Sequence, residues 1–287
     1  MNMQKHRAAI DKLDAQIVKL LNRRTKHVLG IGKSKLASGK ATYQPDREQA
    51  LLRRIRKLNA GPISDESLGH IYREVMSSSI ALQKTFTVAF LGPEATYTHQ
   101  AAVRRFGTSL GYAAQKTISE VFSEVEKNRA EYGVVPVENT TEGVVTHTLD
   151  MFVDSPLKIV AQIIMPIEHC LIGRGTLKDV KKLYSHPQAY AQCRNWVRET
   201  MPRVEFIGSS STTAAAELAA KSKTAAAISS SLAAEKYKLN ILEAGVQDHS
   251  GNATRFLVLG CECAAPSDND RTSLMFTVND KVGALHN

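Results

Sequence analysis

The sequence has little of what marks a membrane, secreted or metal-binding protein. No apolar run approaches the roughly 18 residues that a membrane helix needs, although 43% of the residues are hydrophobic; no membrane association is expected. Cysteine is scarce: Cys170, Cys193, Cys261 and Cys263 include no C-x-x-C, and Cys261-x-Cys263 lacks partners at zinc-site spacing. Reduced, structural thiols and no metal are therefore expected. The opening MNMQKHRAAIDKLD carries charge where a secretory signal has an apolar core, which points to the cytoplasm. Proline is missing before Pro45, which permits one long helix. Acidic residues are few at first: residues 1–84 hold 17 Lys and Arg against 7 Asp and Glu, net +10, while the rest nets −1. Such asymmetry suits a module that meets anions, either nucleic acid or small polycarboxylates.

What is present before Pro45 is helical periodicity. Ile10, Leu13, Ile17, Leu20, Leu21, Val28 and Ile31 share a stripe that predicts a helix from Lys5 to about Leu36. A second helix is predicted over Asp46–Leu58, with Pro45 in its first turn, and a third from a Ser64 or Asp65 cap to about Lys84. Three helices cannot bury these faces alone, so an interlocked dimer is expected. Arg24 and Lys35 are eleven residues apart on one face, about 16 Å along the axis, and could clamp a small dicarboxylate. Arg7 lies about 25 Å from Arg24 and about 100° around the helix, so it can reach the same ligand only from another chain. Ser79 and Gln83 form a polar i, i+4 stripe.

The motifs R-x-x-I-D-x-L-D (Arg7–Asp14), L-L-N-R-R (Leu20–Arg24), G-K-x-K (Gly32–Lys35), P-D-R-E (Pro45–Glu48) and S-I-A-L-Q (Ser79–Gln83) resemble the all-helical chorismate mutase family. The resemblance implies an intertwined dimer and a pericyclic conversion of chorismate to prephenate, without nucleophile or cofactor. It carries over Arg24, Lys35, Arg47, Glu48, Ser79 and Gln83 from one protomer and Arg7 from the other as substrate-binding residues. Lys35 and Gln83 are assigned to the breaking ether oxygen. Gln44 stands where an acidic residue is often found, which touches that contact alone.

From residue 85 to about 263 short apolar runs alternate with helical patterns, which argues for α/β structure with largely parallel sheets. Two lobes with a cleft are expected, lobe one about 85–165 plus 247–263 and lobe two about 166–246. Gly92–Tyr97, Glu138–Gly143 and Ser209–Thr213 are polar loops before helices, suited to anions. Gly251–Gly260 reads as a loop, a polar pair (Thr254, Arg255) and a buried strand, Phe256–Leu259.

VAFLGPEATYTHQAA, YGVVPVENTTEG, YSHPQAYAQC, the Ser/Thr run and QDHSGNATRFLVL closely resemble the prephenate dehydratase family, in order and over the whole segment. That resemblance implies two α/β lobes like a periplasmic binding protein and loss of CO₂ and water from prephenate to give phenylpyruvate. Thr254 is implied to be catalytic. Glu138, Asn139, Thr140, Ser185, Gln192, Ser211, Thr212, Arg255 and Phe256 are taken as substrate-binding. The stretch Ser209–Ser211 lacks an acidic residue that some relatives carry, so it is assigned to binding only. The proton donor stays open among Thr254, Glu138 and His186.

Residues 264–287 read as a polar linker and then a strand over Thr272–Val278. They resemble the start of a phenylalanine-sensing ACT domain, with Gly283, Ala284 and Leu285 in an incomplete regulatory site, so normal feedback inhibition is expected to be lacking. The expected partners are chorismate, prephenate and, for the full-length protein, phenylalanine, in a homodimer or higher oligomer without cofactor. The rival reading is a DNA-binding transcription regulator with a periplasmic-binding-protein-like effector domain. A first helix of about 30 residues and no helix-turn-helix pair argue against it and against a nucleic-acid partner.

Overall fold

The computed structural model describes residues 3–37, 45–249, 251–263, 266 and 270–276. Gln44 and the regulatory residues Gly283, Ala284 and Leu285 lie outside them, as does the side chain of Lys35. Three helices come first: α1 (Met3–Ala37), α2 (Pro45–Leu58) and α3 (Asp65–Ala81). Ser64 caps α3 by accepting from the Ser67 amide at 3.1 Å. α3 packs on both α1 and α2. Much of α1 remains uncovered: Ile10, Leu13, Ile17, Val18 and Leu20 are 52–62% exposed.

The chain then enters a first sheet through β1 (Thr87–Leu91), α4 (Tyr97–Phe106), β2 (Gly111–Gln115), α5 (Ile118–Glu126) and β3 (Tyr132–Asn139). The short β4 (Gly143–Val144), α6 (Thr146–Asp154) and β5 (Lys158–Pro166) follow. A second sheet takes β6 (Cys170–Gly173), β7 (Lys182–Ser185), α7 (Pro187–Gln192), α8 (Arg194–Thr200), β8 (Glu205–Gly208) and α9 (Thr212–Ala219). It ends with β9 (Ala225–Ser229), α10 (Ser231–Tyr237) and β10 (Asn240–Ala244), after which β11 (Ala253–Gly260) returns to the first sheet. The strand orders are β2-β1-β3-β11-β5, with β4 beside β3, and β10-β6-β9-β7-β8.

The sheets are mixed, not largely parallel. β1 pairs parallel with β2 and β3, and β7 with β8 and β9. The returning β11 is antiparallel to both β3 and β5, and β6 is antiparallel to β9 and β10. The reason is connectivity: a strand that re-enters a sheet from the other lobe is free of the right-handed crossover that makes consecutive units parallel.

β11 explains why the first sheet holds. Its side chains alternate between two cores, as the two-residue period of a strand requires. Phe256 and Val258 pack with Val88, Phe90 and the α4 residues Ala101, Ala102 and Phe106. Leu257 and Leu259 pack with Val121, Phe122 and Val125 of α5 on the opposite face. The second sheet is covered likewise, with α9 and α10 on one face and α7 and α8 on the other. Cys170 and Cys193 are buried in these cores, and burial pushes the Cys193 thiol up to about 12.

Candidate functional site

The first site forms where α1, α2 and α3 meet. A cavity of about 450 Å³ is lined by Arg24, Arg47, Glu48, Ser79 and Gln83, five of the seven mutase residues read from the sequence. Its size suits a small ligand. Arg24 Nη1 donates to Ser79 Oγ at 3.2 Å, and Ser79 Oγ donates to the Val75 carbonyl at 2.6 Å. Gln83 Nε2 donates to the Ser79 carbonyl at 3.2 Å. Gly32 of α1 lies so near that a Cβ there would sit 2.5 Å from Gln83 Oε1. Arg7 is exposed on the far part of α1 and does not line the cavity.

The lining also includes residues to which the sequence assigns no role, among them Arg54, Arg73 and Phe106. Arg54 had a signal, since it follows Arg47 by seven residues and so returns to the same helical face. Phe106 had none, because it comes from α4, beyond the helical module.

The second site lies between the two sheets. Antiparallel pairing of β3 with β11 sets Asn139 opposite Thr254 and Glu138 opposite Arg255. Asn139 Nδ2 donates to Thr254 Oγ1 at 2.8 Å and to Asn252 Oδ1 at 2.9 Å. Its Oδ1 accepts from the amides of Thr141 and Glu142, at 2.9 and 3.1 Å. Those contacts fix which way the amide faces. Arg255 Nη2 donates to Glu138 Oε2 at 2.5 Å. Thr140 accepts from the Ala253 amide at 3.0 Å, which ties the loop to β11.

From the other sheet, Gln192 at the end of α7 crosses the gap. Its Oε1 accepts from Asn252 Nδ2 at 2.9 Å, and its Nε2 donates to Glu142 Oε1 at 3.4 Å. With Oε1 an acceptor, the contact to His169 Nε2 at 2.9 Å makes that nitrogen the donor. The Tyr97 hydroxyl donates to the Glu168 carbonyl at 2.8 Å and lies 2.9 Å from His169 Nδ1. Burial lowers the pKa of His169 against the opposing effect of Gln192. Burial also raises Tyr97 well above the usual phenol value. Asn252, His169 and Tyr97 were given no role from sequence, and only their places inside quoted motifs or at a strand start hinted at one.

Other assigned residues serve the framework. Phe256 is 1% exposed and packs in the core, because it follows the β11 bulge after Arg255 on the inward face; it supports the strand and does not face the cleft. Ser185 is fully buried at the end of β7, its hydroxyl donating to the His186 carbonyl at 3.0 Å. Ser211 caps α9 by accepting from the Ala214 amide, and the Thr212 carbonyl accepts from Ser229 Oγ. In the Gly92–Tyr97 loop, Thr96 caps α4. His186 Nδ1 accepts from the Gln188 amide at 3.4 Å.

Fold and site geometry define an enzyme-like chain with an arginine-lined helical pocket and, where the two sheets meet, a cluster of hydrogen-bonded polar side chains. Residues 6–84 match the chorismate mutase type II family and residues 88–264 match prephenate dehydratase. A bifunctional chorismate mutase/prephenate dehydratase of Aquifex aeolicus (strain VF5) is 45% identical over 285 residues, covering 98% of this chain and 79% of that protein. One of Neisseria gonorrhoeae (strain ATCC 700825 / FA 1090) is 42% identical over 284 residues, with 98% and 78% covered. The solved prephenate dehydratase of Arthrobacter aurescens, in complex with L-Phe, superposes with a TM-score of 0.58 at 31% identity, over 64% of this chain and 62% of that one. The chain belongs to the bifunctional chorismate mutase/prephenate dehydratase family.

Proposed function

We infer that the chain catalyses two consecutive steps, rearranging chorismate to prephenate in the helical pocket and converting prephenate to phenylpyruvate in the cleft. The family membership carries the activities. The residue roles come from the resemblance, and the hydrogen bond from Asn139 to Thr254 supports that of Thr254.

In the pocket, a substrate with two carboxylates meets Arg24, Arg47, Arg54 and Arg73. Charge-assisted contacts hold the compact conformer that the pericyclic reaction needs. Gln83, with Lys35, is assigned to the ether oxygen, where donors stabilise charge as the bond breaks. In the cleft, the ring C–carboxylate bond breaks to release CO₂ and its electron pair enters the ring as the C–OH bond breaks. The departing hydroxide takes the Thr254 proton to leave as water, and solvent returns a proton to Thr254. Support for Thr254 over Glu138 is that the Glu138 carboxylate is engaged by Arg255. Asn139, Gln192 and Arg255 are assigned to orienting the substrate.

The exposed stripe of α1 supports a homodimer, in which the partner subunit's Arg7 would reach the pocket. Phenylalanine as an effector rests on the tail resemblance alone, and a phenylalanine titration of the dehydratase rate tests it. One assay tests the main reading: chorismate is supplied, and both its loss and phenylpyruvate formation are followed. Phenylpyruvate from chorismate is expected; turnover of prephenate alone would remove the mutase assignment. Sedimentation across a dilution series tests the dimer, which a monomer at all concentrations would refute.

A further inference from the structure

The mutase pocket is not built by the helical module alone. Phe106, the last residue of α4 in the first α/β lobe, lines the cavity. Beside it, Arg105 Nη1 pairs with Glu48 Oε1 at 3.1 Å, with side chains only 12% and 8% exposed. Glu48 lines the cavity and Arg105 does not, so the guanidinium holds the carboxylate from behind.

The surrounding interface fixes this end of α4 against α3. Glu74 accepts from the Thr108 amide at 2.9 Å, from Thr108 Oγ1 at 2.9 Å and from Ser109 Oγ at 2.5 Å. The Ser109 amide donates to Ser77 Oγ at 3.3 Å. Gly107, at φ +84°, lets the chain turn there while α3 approaches so closely that a Cβ would meet Ser77 Cβ at 2.5 Å. Lys84 pairs with Glu131 at 2.9 Å, a further tie between the modules.

We propose that Arg105 is a positioning residue of the mutase site, holding Glu48 so that its carboxylate serves the substrate and not the neighbouring arginines. The proposal rests on the mutase reading of this pocket. The physical problem it solves is specific. A carboxylate in a cavity lined by four arginines is drawn toward them, and each guanidinium it neutralises is lost to an anionic substrate. An ion pair shielded from water is strong enough to restrain it. The dehydratase module thereby contributes to the first reaction as well as the second.

The test uses the full chain and reads both activities. Arg105→Gln is expected to lower mutase kcat/KM by about 10- to 100-fold, the scale of a misplaced contact group, with dehydratase kcat/KM held within about twofold. Arg105→Lys should recover most of the mutase loss. Removal of charge from the exposed neighbour, Arg104→Gln, should change neither activity. Glu48→Gln with Arg105→Gln leaves no buried unpaired carboxylate, so it keeps the test alive if Arg105→Gln does not fold. That double variant should be no worse as a mutase than Glu48→Gln alone. An unchanged mutase in Arg105→Gln overturns the proposal, as does a double variant well below Glu48→Gln or a parallel fall in both activities. A wild-type chain that does not consume chorismate fails earlier, at the mutase reading itself.

Discussion

Asn139 and Thr254 face each other across the β3–β11 pairing, and Asn139 Nδ2 donates to the Thr254 hydroxyl oxygen at 2.8 Å. The direction of that bond matters. Because the Thr254 oxygen already accepts, its own proton is free to be given away. Thr254→Ala is expected to lower dehydratase kcat by about 10²- to 10⁴-fold, the range of general acid catalysis, with mutase kcat unchanged. Thr254→Ser keeps the hydroxyl and should retain most activity. Thr254→Ala with ordinary turnover would shift the proton to Glu138 or His186.

The Arg255–Glu138 pair is 39% and 45% exposed, so its contribution to stability is expected to be small, about 1 kcal/mol or less. Its proposed importance is in binding. Arg255→Met should raise the dehydratase KM for prephenate about tenfold or more, for loss of a charge-assisted carboxylate contact. Thermal melting should move little. A variant that melts far below the wild type with an unchanged KM would make the pair structural.

His169 gives the fold a pH dependence of definite sign. Burial holds its folded pKa below the ordinary 6.5. Between the two values the unfolded chain binds a proton that the folded chain does not, so stability falls as pH drops through that window. His99, also lowered by burial, adds a slope of the same sign. Urea melts at pH 7 and at successively lower pH should therefore show declining stability, and His169→Gln should flatten part of the decline. An identical slope in the variant would mean that His169 takes up its proton in the fold as readily as in the unfolded chain.

Local patterns carried the helices well because their signals are local. The apolar stripe of α1, Pro45 in the first turn of α2 and the Ser64 cap of α3 all act within one or two turns. The antiparallel entry of β11 between β3 and β5 depends on residues more than 85 apart in the chain, and no local period reports it. The same limit applies to the sites. Thr254 and Asn139 were legible as members of motifs, but the bond between them is a product of register. Arg105 and Phe106 read as an ordinary end of a helix, since Glu48, the partner of Arg105, is 57 residues earlier.

Gly32 offers a way to separate mutase chemistry from folding. It lies inside α1, where glycine costs roughly 0.5–1 kcal/mol relative to alanine, so Gly32→Ala should favour the helix itself. The added methyl, however, would sit 2.5 Å from Gln83 Oε1 and 3.0 Å from Gln83 Cδ. Both atoms are at the free end of a long side chain, which can swing aside at little cost to the fold. The amide would then leave the position from which it is assigned to reach the ether oxygen. Mutase kcat should fall on the order of 10²-fold, as when a preorganised donor is removed, while the melting temperature holds or rises and the dehydratase rate is unchanged. If Gly32→Ala keeps full mutase activity, Gln83 does not act on the breaking bond from this position, and the ether contact would belong to Lys35 alone.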